Sequence, residues 1–251
     1  GETDVLDTWF SSALWPMAAL PKEFYPTQMI TSARDILHLW ITRMIFSGLE
    51  FNGEVPFKNV IIHGTMLTKD GKRMSKSLGT GIDPLELIEK YGADAVRFGL
   101  IYQSIGGQQD IKYGEEFILT GKKFANKLWN IARYIVSRSA NFQASNNKQA
   151  ENEISIKTKK LSEEVTDFIQ TYQFGEALHL LYDFIWHEYA DKYIESTKDQ
   201  NDSETFSTLI FTFSTLLRLL HPFMPFVTEE IWGKLPSWSG KKSLIIESWP
   251  L

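Results

Sequence analysis

Cysteine is absent from the 251 residues, which excludes a disulfide framework and a cysteine-ligated zinc site. No run of eighteen apolar residues occurs, so no membrane-spanning helix is expected. The first residues carry no charged-then-apolar secretory leader. Positive charge is in deficit: 26 Lys and Arg stand against 31 Asp and Glu, for a net charge of −5. That balance argues against a generic nucleic-acid-binding surface. It leaves room for a local basic site, because screening confines a charge's field to roughly 8–10 Å. No internal repeat is found. What is present, 43% hydrophobic and 23% charged residues, suits a soluble globular protein of one large or two ordinary domains. It is also compatible with a cytosolic location.

Two textures divide the chain. Residues 1–115 mix short β-type runs, glycines and prolines with helical stretches. "NVIIHG" (Asn59 to Gly64) reads as a buried strand ending at a glycine. In "ARDILHLWITRMIFSGLEF", Ile36, Leu39, Trp40, Arg43, Met44 and Ser47 fall at helical spacing, which predicts a helix closed near Gly48. "DPLELIEKYG" offers Asp83 as N-cap, Pro84 at the first helical position and Gly92 as the stop. Residues 116–251 read as helical. Phe117, Phe124, Leu128, Ile131 and Ile135 recur at helical intervals, as do Phe206, Leu209, Ile210, Phe213, Leu217 and Leu220 before "HPFMP" breaks the pattern. "EALHLLYDFIWHEYADKYI" forms a third long segment, and four or five such helices make a bundle. "SANFQASNNKQAENE" reads as a loose connection, and the tail "SLIIESWPL" as a short strand or extended segment.

The most pointed feature is "KDGKRMSKSLGTGIDPLE" (Lys69 to Glu86), rich in Lys and Arg and punctuated by Gly71, Gly79 and Gly81. It follows a predicted strand and precedes a capped helix. Loops at the carboxyl ends of parallel strands are where α/β sheets bind ligands, and Lys and Arg suit phosphate oxygens. A basic run is by default a solvated turn. The order of residues here overturns that default.

"RMSKS" (Arg73 to Ser77) resembles the KMSKS signature of class I aminoacyl-tRNA synthetases. The similarity continues through "KDGKRMSKSLGTGIDPLELIEKYGADAVRF". "DVLDTWFSSALWP", "ITRMIFSGLEF", "VPFKNVIIHG", "DFIWHEYADKYIE" and "LRLLHPFMPFVTEEIW" resemble the valyl branch of that family more than the isoleucyl or leucyl branches. Only residues near 141–158 carry no such signal. Two positions depart from the family pattern: Arg73 stands for the first Lys, keeping charge but not donor geometry, and Thr80 for an Asn. Neither removes the cation at Lys76.

The resemblance implies an α/β partial Rossmann-like half-domain (1–115) followed by an all-α helical-bundle anticodon-binding domain (116–251). It implies activation of valine with ATP, Mg²⁺ accompanying the ATP, and transfer to tRNA(Val). Negative charge building on the leaving phosphates would be met by Lys76, assisted by Arg73 and Lys72, with Ser75 and Ser77 shaping the loop. One well-placed donor of this kind is worth about 2.7–4 kcal/mol. His63, Gly64 and Met74 fall beside the nucleotide, although His63 and Gly64 also read as a plain strand-end turn. Trp9, Trp40 and Ile36 would line a small apolar amino-acid pocket, with Asp35 meeting the ammonium or the ribose. The two tryptophans equally fit ordinary core positions. Such a slot rejects larger isoleucine sterically and isosteric threonine poorly, a known property of valyl enzymes. Lys122, Lys123, Lys127, Arg133 and Tyr134 on one helix would face tRNA, the cations contacting phosphate and Tyr134 lying near the anticodon. The alternative there is a solvated basic face. Asp94 and Arg97, spaced i, i+3, are expected to brace the fold. No protein metal site is expected.

The family's HIGH signature and its editing insertion are not found in this sequence. The expectation is therefore a fragment, inactive alone, whose partner is the N-terminal half of the same protein. The parent is expected to be cytoplasmic and monomeric. Two rivals stay open: an isoleucyl relative, which "DTWFSS" disfavours, and a non-catalytic RNA-binding module, for which an intact signature loop has no use.

Overall fold

The structure, a computed structural model, describes residues 4–5, 7–74, 79–106, 110–139, 152–236 and 242–251. It divides into two compact units: Gly1–Met66 with Gly107–Ile111, and Leu67–Gly106 with Lys112–Leu251.

In the first unit, α1 (Thr8–Ala19) begins at Asp7, whose carboxylate accepts the Trp9 N–H at 3.4 Å. β1 (Thr27–Ala33) and β2 (Phe57–His63) pair in parallel, Thr27 opposite Phe57 and Ala33 opposite His63. A parallel pair cannot be joined by a hairpin. The chain returns through a 3₁₀ turn (Arg34–Ile36), a π-helical turn (Leu37–Ile41) and α2 (Thr42–Asn52). A small core of Ile41, Met44 and Phe57, flanked by Ile30, Leu37 and Val60, packs this βαβ unit together.

The expected helix across this crossover is corrected at both ends. Regular α-helix begins only at Thr42, and Ile36 and Leu39 are 39% and 54% exposed rather than part of a buried stripe. Gly48 does not close the helix. It is buried inside α2, where a Cβ would come within 2.7 Å of Pro56 Cδ and 2.8 Å of the Glu54 carbonyl oxygen. The glycine permits a close approach. The stop is Gly53, at φ 70°, whose N–H bonds to the Leu49 carbonyl.

β3 (Met66–Leu67) and β4 (Ile111–Lys112) form a second two-stranded ladder, through which the division of units runs. In the second unit, α3 (Pro84–Tyr91) is capped by Asp83, which accepts the Leu85 N–H at 2.9 Å, and ends at Gly92. α4 (Ala93–Tyr102) and α5 (Glu115–Ser139) approach unusually closely. A Cβ on Gly121 would lie 2.8 Å from the Ala95 carbonyl, and one on Gly99 would lie 2.8 Å from Ile118. Residues 93–102 thus pack as part of the second compact unit.

α6 (Glu153–Gln170) opens with a capping box between Asn152 and Ser155. α7 (Phe174–Asp183) runs on as a π-helical segment (Phe184–Ile194), and α8 (Ser203–Leu220) starts from Asp202, which accepts the Thr205 N–H at 2.7 Å. α9 (Pro225–Lys234) follows the HPFMP break. One core joins Phe98, Phe124, Leu128, Ile131 and Ile135 to the α8 residues Phe206 to Leu220 read from the sequence. Tyr189 lies fully buried among them, its hydroxyl donating to the Leu209 carbonyl at 2.7 Å.

Asp94 and Arg97 brace this unit. The Asp94 carboxylate accepts the Phe226 and Val227 N–H groups at 3.2 and 2.6 Å, at the positive end of α9. Arg97 donates to the Phe223 and Pro222 carbonyls at 3.2 and 2.7 Å. Of the two readings of the tail, the strand does not form: a 3₁₀ turn (Leu244–Ile246) sits between extended residues Ser243 and Glu247. Its N–H groups find no sheet edge, and Glu229 accepts from Leu244 and Ile245 at 2.9 and 3.2 Å and from the Ser243 hydroxyl at 2.7 Å. Trp232 and Trp249 indoles tie the same segment to the Lys242 carbonyl at 3.0 Å and to Thr166 at 2.8 Å. Among the described residues, no helix is long and apolar enough to cross a membrane.

Burial alone would raise the Glu229 pKa, but the hydrogen bonds from Ser243, Leu244 and Ile245 outweigh it and lower the value. That stabilisation is present above the unfolded-state value of about 4.3 and lost as pH falls through the lowered folded-state value. Asp94 runs the other way. Burial dominates and raises its pKa, so its contribution declines as pH rises through the interval above about 3.9. Chemical denaturation is expected to show Glu229→Gln destabilised at neutral pH, with the gap closing below about pH 4. Asp94→Ala should cost about 1–2 kcal/mol; unchanged unfolding midpoints would remove the bracing role.

Candidate functional site

The parallel register places Ala33 and His63 side by side at the carboxyl ends of β1 and β2. Arg34, Asp35 and Ile36 leave one strand, Gly64 and Thr65 the other. This is the edge of a parallel sheet where loops gather to bind ligands. His63 Nδ1 lies 3.0 Å from the Gly64 carbonyl oxygen, and the Thr65 N–H donates to Asp110 at 3.0 Å. Asp35 is exposed.

Trp9 from α1 and Trp40 from the π-helical turn pack edge to face, with centroids 5.1 Å apart and planes at 78°. The wide turn at 37–41 rotates Trp40 out of the α-helical register. Arg43, one turn later, holds its guanidinium 4.7 Å from the Trp9 ring centre. Trp9 is 36% exposed, whereas Trp40 also touches the small core. The pair therefore presents a partly open aromatic corner. Sequence reading found both tryptophans and placed Arg43 at helical spacing from Trp40, but gave it no role beside them.

In the second unit the basic stretch begins as a tight hairpin. Leu67 bridges Arg73 in antiparallel fashion, Thr68 N–H donates to the Lys72 carbonyl at 2.8 Å, and Gly71 turns the chain at φ 76°. Lys72 and Arg73 are exposed at its end and Met74 is half-buried. Ser75, Lys76 and Ser77 lie outside the described residues. Exposed Lys and Arg side chains of this kind suit phosphate oxygens.

The five residues expected to face RNA all lie on α5, where Lys122 and Lys127 take different neighbours. Lys122 lies 5.6 Å from the Tyr91 ring centre and reaches the Lys90 carbonyl at 3.4 Å. It joins a cluster in which Tyr91 and Lys90 both bond Glu115, lowering that carboxyl's pKa. Lys127 pairs with Asp191 at 2.7 Å and lies over Trp186 at 5.1 Å. Lys123 and Arg133 are exposed, and Tyr134 is half-buried. The Tyr134 hydroxyl accepts from Arg138 at 2.8 Å, and Arg138 also donates to the Thr197 carbonyl at 3.1 Å. Arg138 was a missed residue, signalled only by its i+4 spacing.

Beside Tyr134, a cavity of about 510 Å³ opens along α5, with Trp129, Arg133 and Val136 from that helix and Lys234 from α9. A larger groove of about 600 Å³ includes Lys157, Glu188 and Lys192, but those charges pair with one another. Among the described residues, no group of three or more His, Asp or Glu could hold a metal ion.

Two family profiles match. "tRNA synthetases class I (I, L, M and V)" covers residues 1–113 and "Anticodon-binding domain of tRNA ligase" covers 151–251. The chain belongs to the class I aminoacyl-tRNA synthetases, and within them to the valine–tRNA ligase branch. It is 42% identical to the valine–tRNA ligase of Carboxydothermus hydrogenoformans, over 99% of this chain and 30% of that protein. The Enterococcus faecalis valine–tRNA ligase is also 42% identical, over 100% of this chain and 31% of that protein. The chain thus spans about 30% of the length of these relatives. The fold is similar to that of a LeuRS from Agrobacterium radiobacter K84, solved in a ternary complex with tRNA and LeuAMS. That similarity has a TM-score of 0.79 at 20% identity, over 99% of this chain and 33% of that one. The Mycobacterium tuberculosis methionyl-tRNA synthetase, solved with methionyl-adenylate, gives 0.67 at 23% identity, over 88% and 47%.

The aromatic corner generates a direct test. A double-mutant cycle on unfolding with Trp9→Ala and Trp40→Ala should return a coupling of about 0.5–1.5 kcal/mol. Additive losses would mean that the two rings do not support each other.

Proposed function

We propose that this chain works as part of a valine–tRNA ligase, which activates valine with ATP and transfers it to tRNA(Val). The observation that carries this reading is the 42% identity to valine–tRNA ligases along 99% of the chain. On this reading, residues 1–115 belong to the catalytic fold and residues 116–251 form the anticodon-binding bundle. The remainder of the ligase is the partner that completes catalysis, and the whole acts as a cytoplasmic monomer.

In the first step the valine carboxylate attacks the α-phosphorus of ATP and pyrophosphate leaves. Trp9, Trp40 and Ile36 take the valine side chain, and their partly open aromatic corner supports that role. Asp35 meets the ammonium or the ribose. His63, Gly64 and Met74 contact the nucleotide. Lys76, with Arg73 and Lys72, offsets charge on the departing phosphates, and Ser75 and Ser77 shape or donate from the loop. Mg²⁺ would accompany the ATP and offset phosphate charge when bound. In the second step a terminal tRNA hydroxyl takes the valyl group and AMP leaves. Lys122, Lys123, Lys127, Arg133 and Tyr134 hold the tRNA on α5.

The test is valine-dependent ATP–pyrophosphate exchange. The chain alone should be inactive and should gain activity when the remainder of the ligase is supplied in trans. In the assembled enzyme, Lys76→Ala should slow adenylate formation about a hundredfold with valine binding little changed, because its charge acts in the transition state. Loss of valine affinity at an unchanged activation rate would refute the assigned role.

A further inference from the structure

We infer that Arg43 is a positioning residue for the valine pocket: its guanidinium holds the Trp9 ring as a fixed wall and so sets how sharply the pocket separates valine from larger side chains. The inference rests on the reading of Trp9 and Trp40 as that pocket, and it names what keeps one wall in place.

The two tryptophans are not equally anchored. Trp40 packs against the small core of Ile41, Met44 and Phe57. Trp9 stands partly exposed on α1, a helix whose buried residue is Ala13. Its ring meets Trp40 edge to face at 5.1 Å and the Arg43 guanidinium at 4.7 Å. The π-helical turn ends at Ile41 and α2 begins at Thr42. Arg43 therefore follows Trp40 by three residues, close to one helical turn, and the two reach the same neighbour. Arg43 is exposed, yet its guanidinium lies over the indole instead of extending into water. A planar guanidinium suits that placement, because it can stack on an aromatic face.

A tryptophan on a helix surface has more than one staggered rotamer open to it, and a wall that can swing cannot exclude by size. Each contact narrows the choice. A cation–π contact at an exposed site biases the ring by about two- to fivefold, and the edge-to-face packing on Trp40 adds to that. Size discrimination depends on this directly. One methylene in an apolar slot separates two substrates by only about 10- to 200-fold, so a few-fold loss of ring order is a measurable share of the whole. Arg43 need not touch valine or ATP for this; it acts through Trp9.

The test uses the assembled ligase and ATP–pyrophosphate exchange with valine and with isoleucine. Arg43→Ala should raise the valine KM about two- to fivefold with kcat little changed. It should narrow the valine-over-isoleucine ratio of kcat/KM by a similar factor. Arg43→Gln, which keeps a long polar side chain and loses the charge, should match it. Arg43→Lys, which keeps a cation for the ring, should restore most of the loss. In a Trp9→Ala background Arg43→Ala should change nothing further, because its effect runs through that ring. Equal falls in valine and isoleucine activation, or a loss of kcat at constant KM, would mean general damage to the enzyme and overturn the inference. So would an Arg43 effect that persists without Trp9. If Trp9→Ala raises the valine KM while Arg43→Ala leaves both KM and the isoleucine ratio unchanged, the pocket reading stands and the inference falls. If Trp9→Ala leaves the valine KM unchanged, both fall.

Discussion

Two parallel strands cannot be closed by a short turn, and the candidate site follows from that constraint. β1 and β2 need a crossover, so residues 34–52 must leave one carboxyl edge and return to the far end of the next strand. The departure places Asp35 and Ile36 directly after β1. The π-helical start of the crossover then swings Trp40 against Trp9. The close of the crossover is equally constrained: Gly48 lets α2 pass the Pro56 turn, and Gly53 ends it. The candidate site residues stand where the backbone has no alternative but to turn.

The helical unit rests on a different kind of constraint. Its core is large and continuous, yet the HPFMP break would leave helix-end groups unpaired. Asp94 and Arg97 answer this from one turn of α4, the carboxylate on N–H groups at the start of α9 and the guanidinium on carbonyls before it. A segment that reads as the end of an α/β region is thereby committed to the bundle. Close glycine contacts between α4 and α5 reinforce that commitment.

Charge is spent locally on this acidic chain. Lys122 and Lys127, which look alike along α5, serve separate neighbourhoods, one around Tyr91 and Glu115, the other around Asp191 and Trp186. Cations near aromatic rings recur along the helix, with Lys234 over Trp129 as a further case.

By itself the sequence determined the local features whose physics is local: the Asp83 cap and Gly92 stop, the apolar stripes of α5 and α8, and the RMSKS loop that marks the family; it also found the strand within "NVIIHG", which is half-buried to exposed rather than buried and runs from Phe57 to His63. It also paired Asp94 with Arg97 as a brace, since i, i+3 spacing puts them on one helix face. It misjudged the crossover, and of its two readings of the tail the strand does not form, while extended backbone flanks a 3₁₀ turn. A π-helical turn has no distinct residue pattern, Gly48 looks the same whether it ends a helix or admits a neighbour, and "SLIIESWPL" lacks the sheet edge that would make it a strand. Only the tertiary structure decided that Arg43 covers Trp9 and that α4 packs with the bundle. It alone brought Lys234 over Trp129, because the two lie on different helices and nothing in either helix's spacing records which face of the other it will meet.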